Sequence, residues 1–196
     1  MTSQRVLPTT KVPQIKFRCT LCGFCCSGYT PLVTSQDIAR IQGHLKKPLS
    51  SFVAFYRSDD FTVPLEKDER IFITRHGPLA MGIARRDEAC VFLKDNLCTI
   101  YDTRSGICRS FPFQPVRSGD VEGSFEIQDG SCDGRNGSDE AVAQDAARQD
   151  YMAFIYDYYE YIELVSAWNA DLSSRVKDVE EFLQYVGLDW QRYETT

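Results

Sequence analysis

Phe17-Arg18-Cys19-Thr20-Leu21-Cys22-Gly23-Phe24-Cys25-Cys26 places four thiols within eight consecutive residues. The other four cysteines, Cys90, Cys98, Cys108 and Cys132, lie far downstream and must fold back to join them. A thiolate is a soft, anionic ligand that suits zinc, copper(I) and iron–sulfur centres. Two intervening residues let the chain curl so that successive sulfurs point at one centre. Gly23 permits a left-handed turn and leaves room for a metal. The spacing C-x-x-C-x-x-C opens a bacterial ferredoxin run, in which a distant cysteine completes the cluster or a neighbouring one. Cys108 is the nearest candidate for that distant place. The doubled Cys25-Cys26 is unusual. Adjacent side chains diverge in most backbone conformations, so the pair suits two metals, or one metal and a redox thiol. An ordinary zinc ribbon would show two separated C-x-x-C knuckles, so the spacing favours iron–sulfur over zinc. Free cysteine also packs as a small hydrophobe. That reading fits four thiols in eight residues poorly and Cys132 better.

Outward from this run, composition narrows the function class. The chain has 196 residues, 43% of them hydrophobic, with 12 Phe and 10 Tyr, enough for an ordinary core. A metal or disulfide is therefore not needed to compensate for small size. The net charge of −6 disfavours a nucleic-acid binder that relies on global charge. No run of eighteen apolar residues occurs, so no membrane-spanning helix is expected. The first residues lack an apolar stretch of signal-peptide length, which points to the cytoplasm, where thiols stay reduced. Eight cysteines in a reducing compartment mean metal binding or redox chemistry more often than a disulfide framework.

The pattern predicts an α+β fold. A small, irregular metal-binding domain with short strands and a hairpin would be followed by C-terminal amphipathic helices. Residues 1–16 read as an extended arm, 17–137 as the cysteine domain and 138–196 as a helical segment packed on it. Thr34 followed by Asp37 reads as a helix start, and Ile38, Ile41 and Leu45 share a helical face. A second short helix is expected from about Ser50, presenting Phe52, Val53, Phe55 and Tyr56. Arg70–Arg75 reads as a strand, His76-Gly77-Pro78 as a turn, and Met81–Ala84 as its antiparallel partner. Cys90–Leu93 and Leu97–Tyr101 read as a hairpin around Lys94-Asp95-Asn96. A three-residue loop there would place Cys90 and Cys98 on one face, and a two-residue Asp95-Asn96 loop would place them on opposite faces. Arg104 to Pro115 reads as irregular, and Ser124–Ile127 as a strand. Tyr151, Phe154, Ile155, Tyr158, Ile162 and Val165 form the stripe of a long helix. A last helix from about Ser174 would stop at Gly187.

Arg104 and Arg109 flank Cys108, and guanidinium donors can offset the charge of a tetrathiolate site. His44 and His76 have no metal-ligand spacing to each other. No Gly-rich phosphate loop and no Gly-x-Ser-x-Gly elbow appears.

Taken together, Phe17-x-Cys19-x-x-Cys22-Gly23-x-Cys25-Cys26, Cys90-Val91-Phe92-Leu93, Cys98-Thr99-Ile100-Tyr101, Arg104 and Cys108-Arg109-Ser110-Phe111-Pro112 resemble the YkgJ-type cysteine-cluster family. The resemblance spans roughly residues 15–135. That family usually has Arg-Pro after the tyrosine, whereas here Arg104 is followed by Ser105-Gly106. The resemblance implies zinc or iron chelation. Some relatives are labelled iron–sulfur oxidoreductases, and flagellin lysine methylases carry a related cysteine motif.

The resulting expectation is a metal-binding protein that coordinates iron, as an iron–sulfur cluster of the 4Fe-4S type or as iron itself, or alternatively zinc. The expected ligands are Cys19, Cys22, Cys25, Cys26, Cys90, Cys98, Cys108 and Cys132, with Arg104 and Arg109 behind them. Eight thiols suit two four-ligand sites or one polynuclear centre. A structural zinc-binding interaction protein and a protein lysine methylase are the alternatives. The partner is a metal ion, with no nucleic acid and no membrane.

Overall fold

The computed structural model describes residues 15–61, 68–116, 124–128, 132, 134, 141–142 and 144–193. Most of the expected N-terminal arm, residues 1–14, lies outside the described residues. The chain passes from β1 (Ile15–Lys16) through the cysteine run to the one-turn helix α1 (Phe24–Ser27) and then α2 (Ser35–Leu45). Thr34 caps α2 by accepting the Asp37 N–H, while the Asp37 carboxylate takes the Thr34 N–H back. The two orphan donors of the first turn are thereby satisfied reciprocally. Ile38 and Ile41 lie fully buried on one face, as their spacing requires.

Phe52–Tyr56 departs from the expected helix. A single 3-10 turn at Leu49–Ser51 leads into strand β2 (Val53–Tyr56). A short aromatic and β-branched run suits either period. Pairing decides it: β2 lies antiparallel on β4 (Gly77–Ile83), which also holds β3 (Phe72–Thr74). The result is a three-stranded sheet with β4 in the centre. Leu79, Ala80, Met81 and Ile83 of β4 are buried. The turn before β4 is at Arg75-His76, so Gly77 and Pro78 begin the strand rather than the turn.

Two small hairpins follow, β5 (Arg85–Arg86) with β6 (Ala89–Cys90), and β7 (Leu93–Lys94) with β8 (Leu97–Cys98). Both turn through two residues with positive φ, Asp87-Glu88 and Asp95-Asn96, the conformation that tight hairpins demand. The second hairpin therefore pairs Leu93 with Cys98, not Phe92 with Cys98. Cys90 belongs to the first hairpin, opposite Arg85. The two cysteines do not share one ribbon, so the question of its faces does not arise.

The stretch expected to be irregular holds α3 (Gly106–Ser110) and β9 (Phe113–Pro115). β9 pairs with β10 (Phe125–Ile127), and β1 with β11 (Ala141–Val142). The long helix is α4 (Gln144–Ala170). Its second half buries Tyr161, Val165 and Trp168, while Ile162 of the expected stripe is half-buried beside them. α5 (Val179–Tyr185) is capped by Asp178 and Glu181, and the chain turns at Gly187 with φ 78°. Phe182 of α5 stacks on Phe72 of β3, ring centroids 3.7 Å apart. The sheet, α2, the far half of α4 and α5 thus share one apolar core. A second, smaller core joins Ile15, Phe125, Ile127 and Ala147 at the start of α4. Among the described residues no helix is long and apolar enough to cross a membrane.

Candidate metal centre

Gly23 has φ 71° and sits immediately before α1. A Cβ there would lie 3.4 Å from the Asn96 side chain and 3.6 Å from that of Leu93. The left-handed backbone there favours glycine, and the tip of the β7–β8 hairpin lies beside it at ordinary contact distance. α1 then brings the Cys25 and Cys26 sulfurs to 3.9 Å of each other.

Arg85 fixes α1 from the other side. Its guanidinium donates to the carbonyl of Ser27 at 2.7 Å, to that of Tyr29 at 2.5 Å, and to that of Glu88. The same residue pairs in register with Cys90. One side chain therefore ties the exit of the cysteine run to the hairpin that carries Cys90. Phe24, Tyr29 and Phe111 continue the contact as a row of rings, with centroids 5.7 and 5.8 Å apart.

Cys108 is delivered by α3. Gly106 lets α3 approach α4 closely, since a Cβ there would be 3.0 Å from the backbone of Phe154. The Gly106 N–H donates to the buried Asp37 carboxylate at 2.8 Å. Arg104 donates to the carbonyls of Tyr101 and Cys108 and lies 3.7 Å from the centre of the Tyr101 ring. Arg109 faces α4, with Nε 3.6 Å from the Asp150 carboxylate. Cys132 belongs to a different contact. The Arg18 N–H donates to the Gly134 carbonyl at 3.1 Å. A Cβ on Gly134 would meet the Arg18 carbonyl and the Phe17 ring at 2.5 Å.

All eight cysteines are free thiols, with Cys19, Cys22 and Cys25 exposed and the other five partly buried. Their electrostatics show which are neighbours. The Cys25 thiol is pushed far up, first by its hydrogen bond with Cys26 and then by burial, with the Arg104 charge opposing. For Cys26 the bond with Cys25 pulls down, but the bond with Cys90, burial and the charges of Cys90 and Cys98 carry it up to about 11. Cys90 is held below the usual thiol value, chiefly by its hydrogen bond with Cys26, against burial and the charges of Cys108 and Cys98. Burial raises Cys98, with Cys25 adding to it and Arg104 opposing. Burial pushes Cys108 up to about 12, with Cys26, Asp37 and Cys25 adding and the Ser105 hydroxyl opposing. Burial also raises Cys132, helped by Cys22, Cys19 and Cys25.

Cys132 has Cys22, Cys19 and Cys25 as its thiol neighbours. Cys108 instead has Cys26 and Cys25 as its thiol neighbours. α3, which carries Cys108, is anchored to α2 and α4. Arg85 gave no sign in the sequence, where an Arg-Arg pair beside a turn reads as solvated surface.

Among the described residues, no three His, Cys, Asp or Glu side chains close on one point at metal-bonding distance. The donor set nevertheless fits a soft cation. Hydrogen bonding and burial raise the thiols of Cys25, Cys26, Cys98, Cys108 and Cys132, and a bound soft metal would reverse this by taking the thiolate. When bound, zinc would supply structural cross-linking, and an iron–sulfur centre would supply one-electron chemistry. The Arg104 charge favours the thiolates of Cys25 and Cys98 in either case.

The comparisons agree with this donor set. The chain is 34% identical over 116 residues to "Uncharacterized protein MJ0661" of Methanocaldococcus jannaschii, covering 58% of this chain and 54% of the relative. The chain thus spans about half the length of that relative. No solved structure matches. The CxxCxxCC family model, described as "Putative zinc- or iron-chelating domain", matches residues 18–133. That match covers more than half of the sequence and every one of its cysteines, so the chain belongs to the CxxCxxCC family.

Proposed function

We propose that the chain is a metalloprotein that holds iron, in iron–sulfur form, on its clustered cysteines and uses it in one-electron redox chemistry. The observation that carries this reading is the exposed run Cys19, Cys22 and Cys25, with the remote Cys132 two residues before Gly134, whose carbonyl accepts the Arg18 N–H. Three closely spaced cysteines and one distant one are the ligand set of a ferredoxin-type cluster. The exposure of the run suits exchange of electrons with a partner. Arg104 offsets part of the thiolate charge, and Arg85 and Gly23 hold α1 against the two hairpins.

A structural zinc site is the second reading, and one distance favours it. The Cys25 and Cys26 sulfurs are 3.9 Å apart, close to the edge of about 3.8 Å for a tetrahedron with zinc–sulfur bonds of about 2.3 Å. Purification without oxygen, with iron, zinc and acid-labile sulfide assayed per chain, tests the two. Iron with sulfide and visible absorbance that bleaches with dithionite supports the first. Colourless protein with stoichiometric zinc supports the second. Folded, metal-free protein with all eight thiols open to alkylation rules out both.

A further inference from the structure

We propose that the outer face of α4 binds a basic amphipathic helix of a partner protein. At about 100° per residue, Met152, Tyr156 and Tyr159 fall within an arc of about 60°. They are 55%, 65% and 58% exposed. Ala147, Tyr161, Val165 and Trp168 lie on the opposite side of the same helix and are buried. α3 packs on that opposite side too, where Gly106 meets Phe154. One face of α4 thus belongs to the core, and a second apolar stripe, at spacing i, i+4 and i+7, faces outward. That spacing is the one by which a helix engages another helix.

Charge selects the partner. Asp145, Glu160 and Glu163 share an arc of about 100° with the three apolar side chains, and all three acids are exposed. Glu160 accepts from the Gln36 amide, a neutral donor. Arg148 is the one cation of α4; it stands at the N-terminal end of the stripe, 5.9 Å from the centre of the Phe125 ring. A second copy of the chain would bring the same acids against this face, and like charges across an interface oppose pairing. Nucleic acid and anionic lipid are repelled in the same way. Lys and Arg of a partner helix meet the carboxylates, and their cations also suit the faces of Tyr156 and Tyr159.

Area sets the size of that partner. An aromatic side chain offers roughly 150–250 Å², so the exposed parts of the three apolar side chains come to on the order of 300–400 Å². A stable dimer buries about 800 Å² on each side. The stripe is therefore the footprint of a single helix, and its binding is reversible.

The test uses the full chain and a labelled synthetic peptide of about 18 residues, enough for about 27 Å of helix, with Leu along one face and Lys on the other. Fluorescence anisotropy should show saturable one-to-one binding that weakens as salt is raised. The same peptide with Glu in place of Lys should not bind. Tyr156→Ser with Tyr159→Ser, and separately Glu160→Lys with Glu163→Lys, should each weaken binding by about tenfold or more. Leu172→Ser with Val176→Ser, at exposed apolar positions outside α4, should leave it unchanged. For a variant that fails to fold, amide exchange of wild type with and without the peptide takes its place, and protection should fall on residues 145–163. Four outcomes overturn the proposal. The Lys peptide does not bind. It binds the tyrosine variant as well as wild type. Its protection lies elsewhere. Sedimentation shows that wild type is a dimer that Tyr156→Ser with Tyr159→Ser dissociates, which makes a second copy the occupant.

Discussion

The Asp37 carboxylate accepts a 2.8 Å hydrogen bond from the backbone N–H of Gly106, joining the first turn of α2 to the first turn of the helix that carries Cys108. Asp37 is only 1% exposed, and it also takes the Thr34 N–H and the Arg40 guanidinium. Its loss strands a buried donor beneath Cys108. Asp37→Ala is therefore expected to lower the unfolding free energy by about 1.5–3 kcal/mol, the range for a lost hydrogen bond to a charged group. Urea denaturation measures the difference, and equal midpoints for the two proteins would count against the contact.

Arg85 spans three carbonyls from two segments. A planar guanidinium reaches several acceptors at once, whereas an ammonium is a point donor. Arg85→Ala and Arg85→Lys are both expected to lose bound metal to a competing chelator about tenfold faster than wild type, a barrier loss of about 1.4 kcal/mol. Arg57→Lys, which changes a contact with the His76 carbonyl, should match wild type. Release followed with a chromogenic chelator gives the rates. A normal rate in the lysine variant would show that the clamp is dispensable.

Ser105 has φ −55° and ψ 154°, and Arg104 before it has φ −50° and ψ 151°. The first pair of angles suits proline, and the ψ of the second suits the residue before a proline. The Arg-Pro usual in the cysteine-cluster family therefore fits this backbone unchanged. Ser105→Pro is expected to raise stability by about 0.4–1 kcal/mol, by restricting the unfolded chain. A lower Tm by calorimetry would contradict this.

The Asp171 carboxylate is held down to about 2 by the Ser173 hydroxyl and N–H and by Lys177. A group whose folded value is depressed contributes stability above its unfolded value, about 3.9. That stability is lost as the pH falls through the folded value. Asp171→Asn should therefore have a lower Tm than wild type at pH 6, and the gap should close between about pH 4 and pH 2. A gap that stays constant with pH would remove the carboxylate from the account.

Some of this structure was legible in the residues. Thr34 and Asp37 announced the start of α2, and Ile38 and Ile41 its buried face, because cap and period agree. Phe52–Tyr56 misled because a short apolar run has no period of its own, and the choice of strand is made by β4, some twenty-five positions on. The two-residue turn at Asp95-Asn96 had its signal in the sequence, since both residue types tolerate positive φ. The place of Cys108 had no such signal. The contacts that seat its helix, from Asp37 and against Phe154, lie far from it along the chain. Arg85 shows a further limit: a guanidinium that binds backbone carbonyls leaves no trace in residue type or spacing.

Cys132 beside Cys19, Cys22 and Cys25 has a consequence for biosynthesis. The chain emerges from the ribosome N-terminus first, at roughly 5–20 residues per second, so Cys132 appears roughly 5–20 s after Cys19. Throughout that interval the first thiols are present without Cys132. Prematurely terminated chains that end before residue 132 are the products expected to form mixed disulfides or to scavenge stray copper. The hazard of this protein's architecture thus falls on its nascent and broken forms rather than on the finished molecule.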